Sequence, residues 1–412
     1  MQSDAPRAKA VTADAVAGGG YARTVAAKLY PTFAADAGAG NLAYSPASIG
    51  IALGMVRSGA QGLSGLQLGA FLHATDPDQL HRSLNGLSDA LESRAGKVQD
   101  DKGQDGDVEL TTADSFWGQT GVRWKAPFLD TLQREYGVGM YEVDYEEDAE
   151  ASRAAINTWV SDQTHDEIPN LLVEGSVEAS TRLALVNAMY LAAPWGEAFD
   201  EAGKLPFTTL AEGGGDGPKV DAPMMRQQLD TTYANGDHWQ AVTIPYAGHQ
   251  LAMTLVVPEV GSLAAVEKGL SADQIGFFAA MGSKADDPNV RTVNLTMPTF
   301  DIDARPDLTT TLKHLGVGAP FETEKDFEPM TTDPEAQPLT LAAMIHQATV
   351  RVDEKGTVAA AATAATFEAT GAPIEAEPPV ELKLDHPFLF IISDLATGAP
   401  LFIGRVTNPT VK

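Results

Sequence analysis

The stretch that decides the fold is residues 350–373, VRVDEKGTVAAAATAATFEATGAP. Residues 357–367 contain no charge, no Pro and no Gly. In an extended chain, Thr357, Ala359, Ala361, Thr363, Ala365, Phe367 and Ala369 share one side, which is small or apolar throughout. Val358, Ala360, Ala362, Ala364, Thr366, Glu368 and Thr370 share the other, polar only at its far end. Acids flank the run: Asp353 and Glu354 before it, Glu368, Glu375 and Glu377 after it. Gly371, Pro373, Pro378 and Pro379 stop any regular element beyond it. Taken alone, the run fits a helix, because Ala is the best helix former. It fits a flexible linker by its Ala/Thr/Pro/Glu composition. It also fits a strand buried within a sheet. The rest of the chain decides among the three.

The chain has 412 residues, 44% of them hydrophobic, enough for a large core. Its longest near-apolar run, residues 183–195, contains Asn187 and is too short to span a bilayer. Lys and Arg number 28 against 56 Asp and Glu, a formal net charge of -28. So acidic a surface repels phosphate backbones and anionic headgroups, which argues against a nucleic-acid or membrane partner. There is no Cys, so disulfides, thiol catalysis and thiolate metal sites are excluded. Residues 1–20, MQSDAPRAKAVTADAVAGGG, lack the apolar block of a signal peptide and read as a disordered arm. Localisation stays open, because a secreted chain whose signal had been removed would look the same.

Helices come first. Apolar residues at helical spacing mark residues 21–35, and Ser45-Pro46 is a cap with Pro at the first helical position, opening a helix to Ser58. Residues 63–72 and 78–94 follow as helices, and the polar, Gly-containing residues 97–107 read as a loop. Strands then alternate with helices: strand 108–117, helix 127–136, strand 139–145, helix 148–163, and a long buried strand 182–191. The glycines of residues 212–218 do not follow a strand and open a helix, so they read as a loop and not a phosphate cradle. From residue 220 the chain is mostly β. Residues 240–245 and 250–258 form a hairpin around Tyr246-Ala247-Gly248-His249. Residues 262–281 read as a helix, 290–300 as a strand, 306–315 as a helix and 339–353 as a strand entering the opening stretch. A last hairpin joins residues 388–393 to 401–406 through Thr397-Gly398. No repeat and no linker divides the chain, which reads as one α+β domain over residues 21–412.

Four segments, in order, resemble the serpin family of serine protease inhibitors, and its prokaryotic inhibitory members in the lack of Cys and the short ends. NLAYSPASIGIALGMVRSGAQGLSGLQL (residues 41–68) resembles the family's N-x-x-x-S-P-x-S segment. LVNAMYLAAPWGEAFD (185–200) is similar to its L-V-N-A-x-Y-F-x-x-x-W-x-x-x-F pattern. IHQATVRVDEKGT (345–357) resembles the strand and hinge before the reactive loop, and HPFLFIISDLATGAPLFIGRVTNP (386–409) the C-terminal signature.

The resemblance implies a fold of three β-sheets and about nine helices, with an exposed reactive-centre loop over about residues 354–380 and a metastable native state. It implies a suicide inhibitor. A serine protease attacks the loop, which then inserts as an extra strand into the main sheet and carries the acyl-linked protease with it. The protease is the partner in a covalent complex; the chain is not an enzyme, needs no cofactor or metal, and is a monomer able to form loop–sheet polymers. The residues fit that use. An inserted strand of about 14 residues adds backbone pairs worth roughly 1 kcal/mol net each. Side chains on its buried side must be small enough to slip between existing strands, and Thr357 and the run Ala359 to Ala362 meet that demand.

By motif position the hinge comprises Glu354, Gly356, Thr357, Ala359, Ala360, Ala361, Ala362 and Thr363. The reactive bond, 16 positions after Glu354, is Thr370-Gly371. Counting back from His386-Pro387 instead points near Glu375-Ala376; the hinge count is preferred because it sets the length inserted. A small residue at the bond suits elastase-like or subtilisin-like proteases, and no Lys or Arg lies between Lys355 and Lys383 for a trypsin-like one. Ser45, Ser48, Asn187 and His346 match the family's shutter, where the sheet parts, and Trp195 matches its breach, where insertion starts. Two departures stand out. Val358 occupies a position where the family often has Glu. Thr299, after Met297-Pro298, stands where a basic partner for Glu354 is usual.

Two other readings compete. A non-inhibitory serpin would be a binding or carrier protein, marked by a bulky or charged hinge that this chain lacks. A hydrolase would use Ser45 and His346 as nucleophile and base, but no G-x-S-x-G elbow is present and Ser45 precedes a Pro at a helix start. His73 and His81 match no metal-binding pattern.

Overall fold

The computed structural model describes residues 3–283, 287–323, 325–336, 339–342, 344–357 and 378–412. The chain runs α1 (Thr12–Ala37), β1 (Leu42–Tyr44), α2 (Pro46–Ser58), α3 (Gly62–Leu72), α4 (Pro77–Glu92), β2 (Gly96–Gln99), β3 (Asp105–Gln119), α5 (Ala126–Tyr136), β4 (Met140–Val143) and α6 (Ala149–Gln163). There follow β5 (Leu183–Pro194), β6 (Asp200–Leu210), β7 (Asp216–Gly236), β8 (Trp239–Pro245), β9 (Leu251–Pro258), α7 (Leu263–Lys268) and α8 (Ala272–Ala279). The chain closes with β10 (Val290–Pro298), β11 (Phe300–Ala304), α9 (Leu308–His314), α10 (Ala319–Glu322), β12 (Met344–Asp353), β13 (Gly356–Thr357), β14 (Val380–Lys383), β15 (Phe388–Asp394) and β16 (Ala399–Val406).

Local chemistry places the helix starts. The Ser45 side chain accepts the Ser48 N–H at the start of α2, with Pro46 at its first turn. Asp76 does the same for Asp78 and Gln79 at α4. The expected helix over residues 262–281 is two, because the chain turns at Gly269 and Ser271 recaps α8 by accepting the Gln274 N–H. With the four-residue α10, the described residues hold ten α-helices where about nine were expected.

Residues 1–20 were expected to be a disordered arm, yet α1 begins at Thr12. Its glycines serve close packing. A Cβ on Gly18 would collide with the Ser83 carbonyl of α4, and one on Gly19 with the Thr397 carbonyl. Ahead of α1, the Ala8 N–H donates to the Arg134 carbonyl and Arg7 pairs with Glu92 at 2.7 Å. Residues 97–107, expected as a loop, are mostly a β2–β3 hairpin. Its tip is held by the Asp100 carboxylate, which accepts the Lys102 and Gln104 N–H groups.

Two sheets organise the described strands, not three. One runs β1-β16-β15-β9-β8-β7-β10-β14, with β6 also on β7. The 21-residue β7 makes this one continuous sheet where the expectation of three sheets would divide it. Residues 216–232 pair with β6 and β10, and residues 233–236 with β8. The other sheet runs β11-β12-β13-β5-β3-β2, with β4 on β3. Its centre is β5, buried at every position but Pro194, as a strand covered on both faces must be. On one face Ile156 and Val160 of α6 pack over Ala113, Val186 and Ala188. On the other, Met189, Leu191, Ala348, Val350 and Val352 join the core shared with the larger sheet.

Candidate functional site

The site lies between β12 and β5. These strands pair in parallel from Met344↔Leu185 to Ala348↔Met189. Further along, a third strand separates them: Thr357 of β13 pairs with Val352 on one side and Ala193 on the other, antiparallel to both. The Asp353 carboxylate shapes the turn into β13 by accepting the Lys355 and Gly356 N–H groups at 2.8 and 3.2 Å. Gly356 is required there, because a Cβ would meet the Ala193 carbonyl. The sheet is thus zipped at one end and wedged open by the hinge at the other.

Trp195 and Tyr246 hold the wedge. Their rings stack at 4.6 Å and 15°, and both are buried with Thr357. The Trp195 indole N–H donates to the Asp353 carbonyl at 2.9 Å and its backbone N–H to the Lys355 carbonyl at 2.8 Å. The Tyr246 hydroxyl lies 2.6 Å from Thr357 Oγ1. The Phe199 N–H donates to the Glu354 carbonyl, and among the described residues the Glu354 carboxylate has no ion-pair partner.

At the zipped end, Ser45, Ser48, Asn187 and His346 form one buried cluster. The Ser45 N–H donates to His346 Nε2 at 3.0 Å, so the ring proton sits on Nδ1 and is donated to Asn187 Oδ1 at 2.8 Å. Asn187 Nδ2 donates to Ser48 Oγ and to Asp114 Oδ1. Burial pushes the His346 imidazole down to about 3, keeping it neutral. Burial pushes the Asp114 carboxyl up to about 8, opposed by the Asn187 hydrogen bond. Asp114 Oδ2 has no hydrogen-bond partner, which favours the neutral acid.

This geometry removes the hydrolase reading. Ser45 Oγ contacts Met189 Sδ at 3.2 Å and accepts the Ser48 N–H. His346 meets the Ser45 backbone and not its hydroxyl, and neither residue reaches solvent. Among the described residues no group of three or more His, Asp or Glu could hold a metal, and no helix is long and apolar enough to cross a membrane.

Of the residues named from sequence, the structure gathers Ser45, Ser48, Asn187 and His346 at one end of the slot. It gathers Trp195, Glu354, Gly356 and Thr357 at the other. Ala359, Ala360, Ala361, Ala362, Thr363, Thr370 and Gly371 lie outside the described residues. Two participants escaped the sequence reading. Asp114 is the only charge in residues 110–122, a signal that a buried carboxyl sits mid-strand. Tyr246 was read only as part of a hairpin turn, and nothing local announces a partner 111 residues away.

The serpin (serine protease inhibitor) family pattern matches residues 21–409. The leukocyte elastase inhibitor of Sus scrofa is 31% identical over 381 residues, covering 90% of this chain and 94% of that protein. The native stressed form of Arabidopsis AtSerpin1 superposes with a TM-score of 0.76 at 26% identity, over 98% of this chain and 100% of the other. Human thyroxine-binding globulin complexed with thyroxine matches in fold at a TM-score of 0.80 and 22% identity, over 97% and 100%. With the family pattern spanning nearly the whole chain and the serpin fold around a parted sheet, the chain belongs to the serpin family.

Proposed function

We propose that this serpin is inhibitory: a suicide inhibitor of elastase-like or subtilisin-like serine proteases. The protease's serine oxygen attacks the carbonyl of Thr370, and the bond to Gly371 breaks as the Gly371 nitrogen leaves with a proton. The acyl ester then persists because the freed loop enters the sheet before water can cleave it. This chain supplies the bait and the sheet, and the protease supplies the nucleophile, so the chain is not itself an enzyme. No cofactor or metal takes part.

The observation that carries the reading is the seat of Gly356 and Thr357, already paired on both sides between β12 and β5. The register continues without offset into the zipped part, where β12 and β5 face each other as they do across Thr357. In the inserted form Ala359 therefore lies between Val350 and Leu191, Ala361 between Ala348 and Met189, and Thr363 between His346 and Asn187. The side chains turned toward the core are Thr, Ala, Ala and Thr, which fit a space now filled by direct strand pairing. Admitting Thr363 opens the 2.8 Å bond between His346 and Asn187. That makes the shutter the point where the sheet resists and then yields.

Thermal unfolding before and after a single cut in the loop tests the reading. Insertion adds a central strand and raises the melting temperature by tens of degrees, on the order of 10 kcal/mol of new strand pairing. A carrier protein whose loop stays outside the sheet gains nothing on cleavage.

A further inference from the structure

The β2–β3 hairpin reaches across the end of the sheet where Thr357 sits. Its tip touches two segments at once. On residues 194–197, the Asp101 N–H donates to the Gly196 carbonyl at 2.8 Å, Lys102 pairs with Glu197 at 3.0 Å, and Gly106 packs on the Pro194 ring. On residues 247–249, His249 Nε2 lies 2.6 Å from Asp101 Oδ1, and the Gly248 N–H donates to the Gln99 carbonyl at 3.2 Å. Trp195 lies within the first segment and Tyr246 directly precedes the second; these are the side chains that hold Asp353 and Thr357.

We propose that this hairpin tip is a brace, with Asp101 as its positioning residue. It reinforces the direct bonds that join the end of β5 to the turn between β8 and β9, Gly196 N–H to the Pro245 carbonyl and Ala247 N–H to the Pro194 carbonyl at 2.9 Å each, so that the slot around Thr357 stays formed while the loop enters. The proposal rests on the inhibitory reading. After the protease has acylated the loop, insertion competes with hydrolysis, and a slot that must first re-form gives hydrolysis the advantage. The brace lies beside the slot and not in it. The side chains of its Lys102–Glu197 ion pair and its His249–Asp101 contact are 40–57% exposed and contribute little to global stability. Loss of the brace therefore changes the outcome of the race more than the melting temperature.

The test uses the full chain with pancreatic elastase or subtilisin and measures how many inhibitor molecules are consumed per protease trapped. Asp101→Ala is expected to raise that number by about two- to fivefold at nearly unchanged melting temperature. Replacing residues 100–104 by Asn-Gly, which keeps β2 and β3 joined, is expected to raise it further. Lys102→Glu is expected to raise it, and adding Glu197→Lys to bring it back. If the wild-type chain traps protease and all these variants trap it as efficiently, the brace is wrong. A rise that tracks lost melting temperature, with no recovery in the charge-swapped pair, also overturns it in favour of a purely structural hairpin. A wild-type chain that is cut in its loop without trapping protease or gaining stability overturns the inhibitory reading, and the brace with it.

Discussion

The Tyr246 hydroxyl lies 2.6 Å from Thr357 Oγ1, between two fully buried side chains. This bond joins the hinge to the ring that stacks on Trp195. Tyr246→Phe keeps the ring and leaves the Thr357 hydroxyl unsatisfied, so it should lower native stability by about 1–3 kcal/mol. Adding Thr357→Val removes the second polar group and should restore much of that loss. Denaturant melts of the two single variants and the double would reveal the coupling, and strictly additive losses would mean that the bond contributes nothing.

Thr357→Arg places a cation in the buried slot between Val352 and Ala193. The native chain can push the hinge outward and survive, but insertion then requires a buried, unpaired charge of several kcal/mol. The variant should be cleaved as an ordinary substrate, with protease activity recovering in full. Undiminished inhibition by this variant would contradict the route of entry.

His346→Ala leaves the Ser45 N–H without its acceptor and Asn187 Oδ1 without its donor, both in a dry cluster. A loss of about 1–3 kcal/mol of native stability is expected. The same variant should insert its loop faster, because the bond that Thr363 displaces is already absent. Stopped-flow fluorescence after loop cleavage would measure that rate.

The shutter also predicts a pH dependence. The Asp114 carboxyl is raised to about 8 in the folded chain, so its favourable contribution is complete below its ordinary value near 4 and is lost as pH rises through 8. The His346 ring is lowered to about 3, so its contribution is present above about 6.5 and is lost as pH falls toward 3. Asp114→Asn keeps an oxygen for Asn187 and removes the titration. Its stability advantage over the original chain should grow between about pH 4 and pH 8, reaching a few kcal/mol, and then level off. A constant difference across that range would mean that Asp114 is not buried as a neutral acid.

Much of this was legible where short-range chemistry decides structure. Ser45-Pro46 announces the start of α2, and the uninterrupted apolar run around Asn187 announces a strand covered on both faces. What stayed hidden depends on contacts between distant residues. Gly18 and Gly19 fall in a stretch that reads as a disordered arm but let α1 pack closely on Ser83 and Thr397. Residues 97–107 are polar because their hairpin tip faces solvent and the His249–Asp101 and Lys102–Glu197 pairs. The motif positions locate Ser45, Ser48, Asn187 and His346 but give neither the ring tautomer nor the fifth partner, Asp114, because both follow from how β3, β5, β12 and α2 meet.

The most direct test of the central claim is a denaturing gel of the chain after mixing with elastase-like, subtilisin-like and trypsin-like proteases, with mass spectrometry of the released C-terminal peptide. A band at the summed mass that survives denaturation with an elastase-like or subtilisin-like enzyme, and a peptide beginning at Gly371, is the predicted result. Cleavage in the loop by those enzymes with no such band would contradict the account and identify a serpin that serves as a substrate or a carrier.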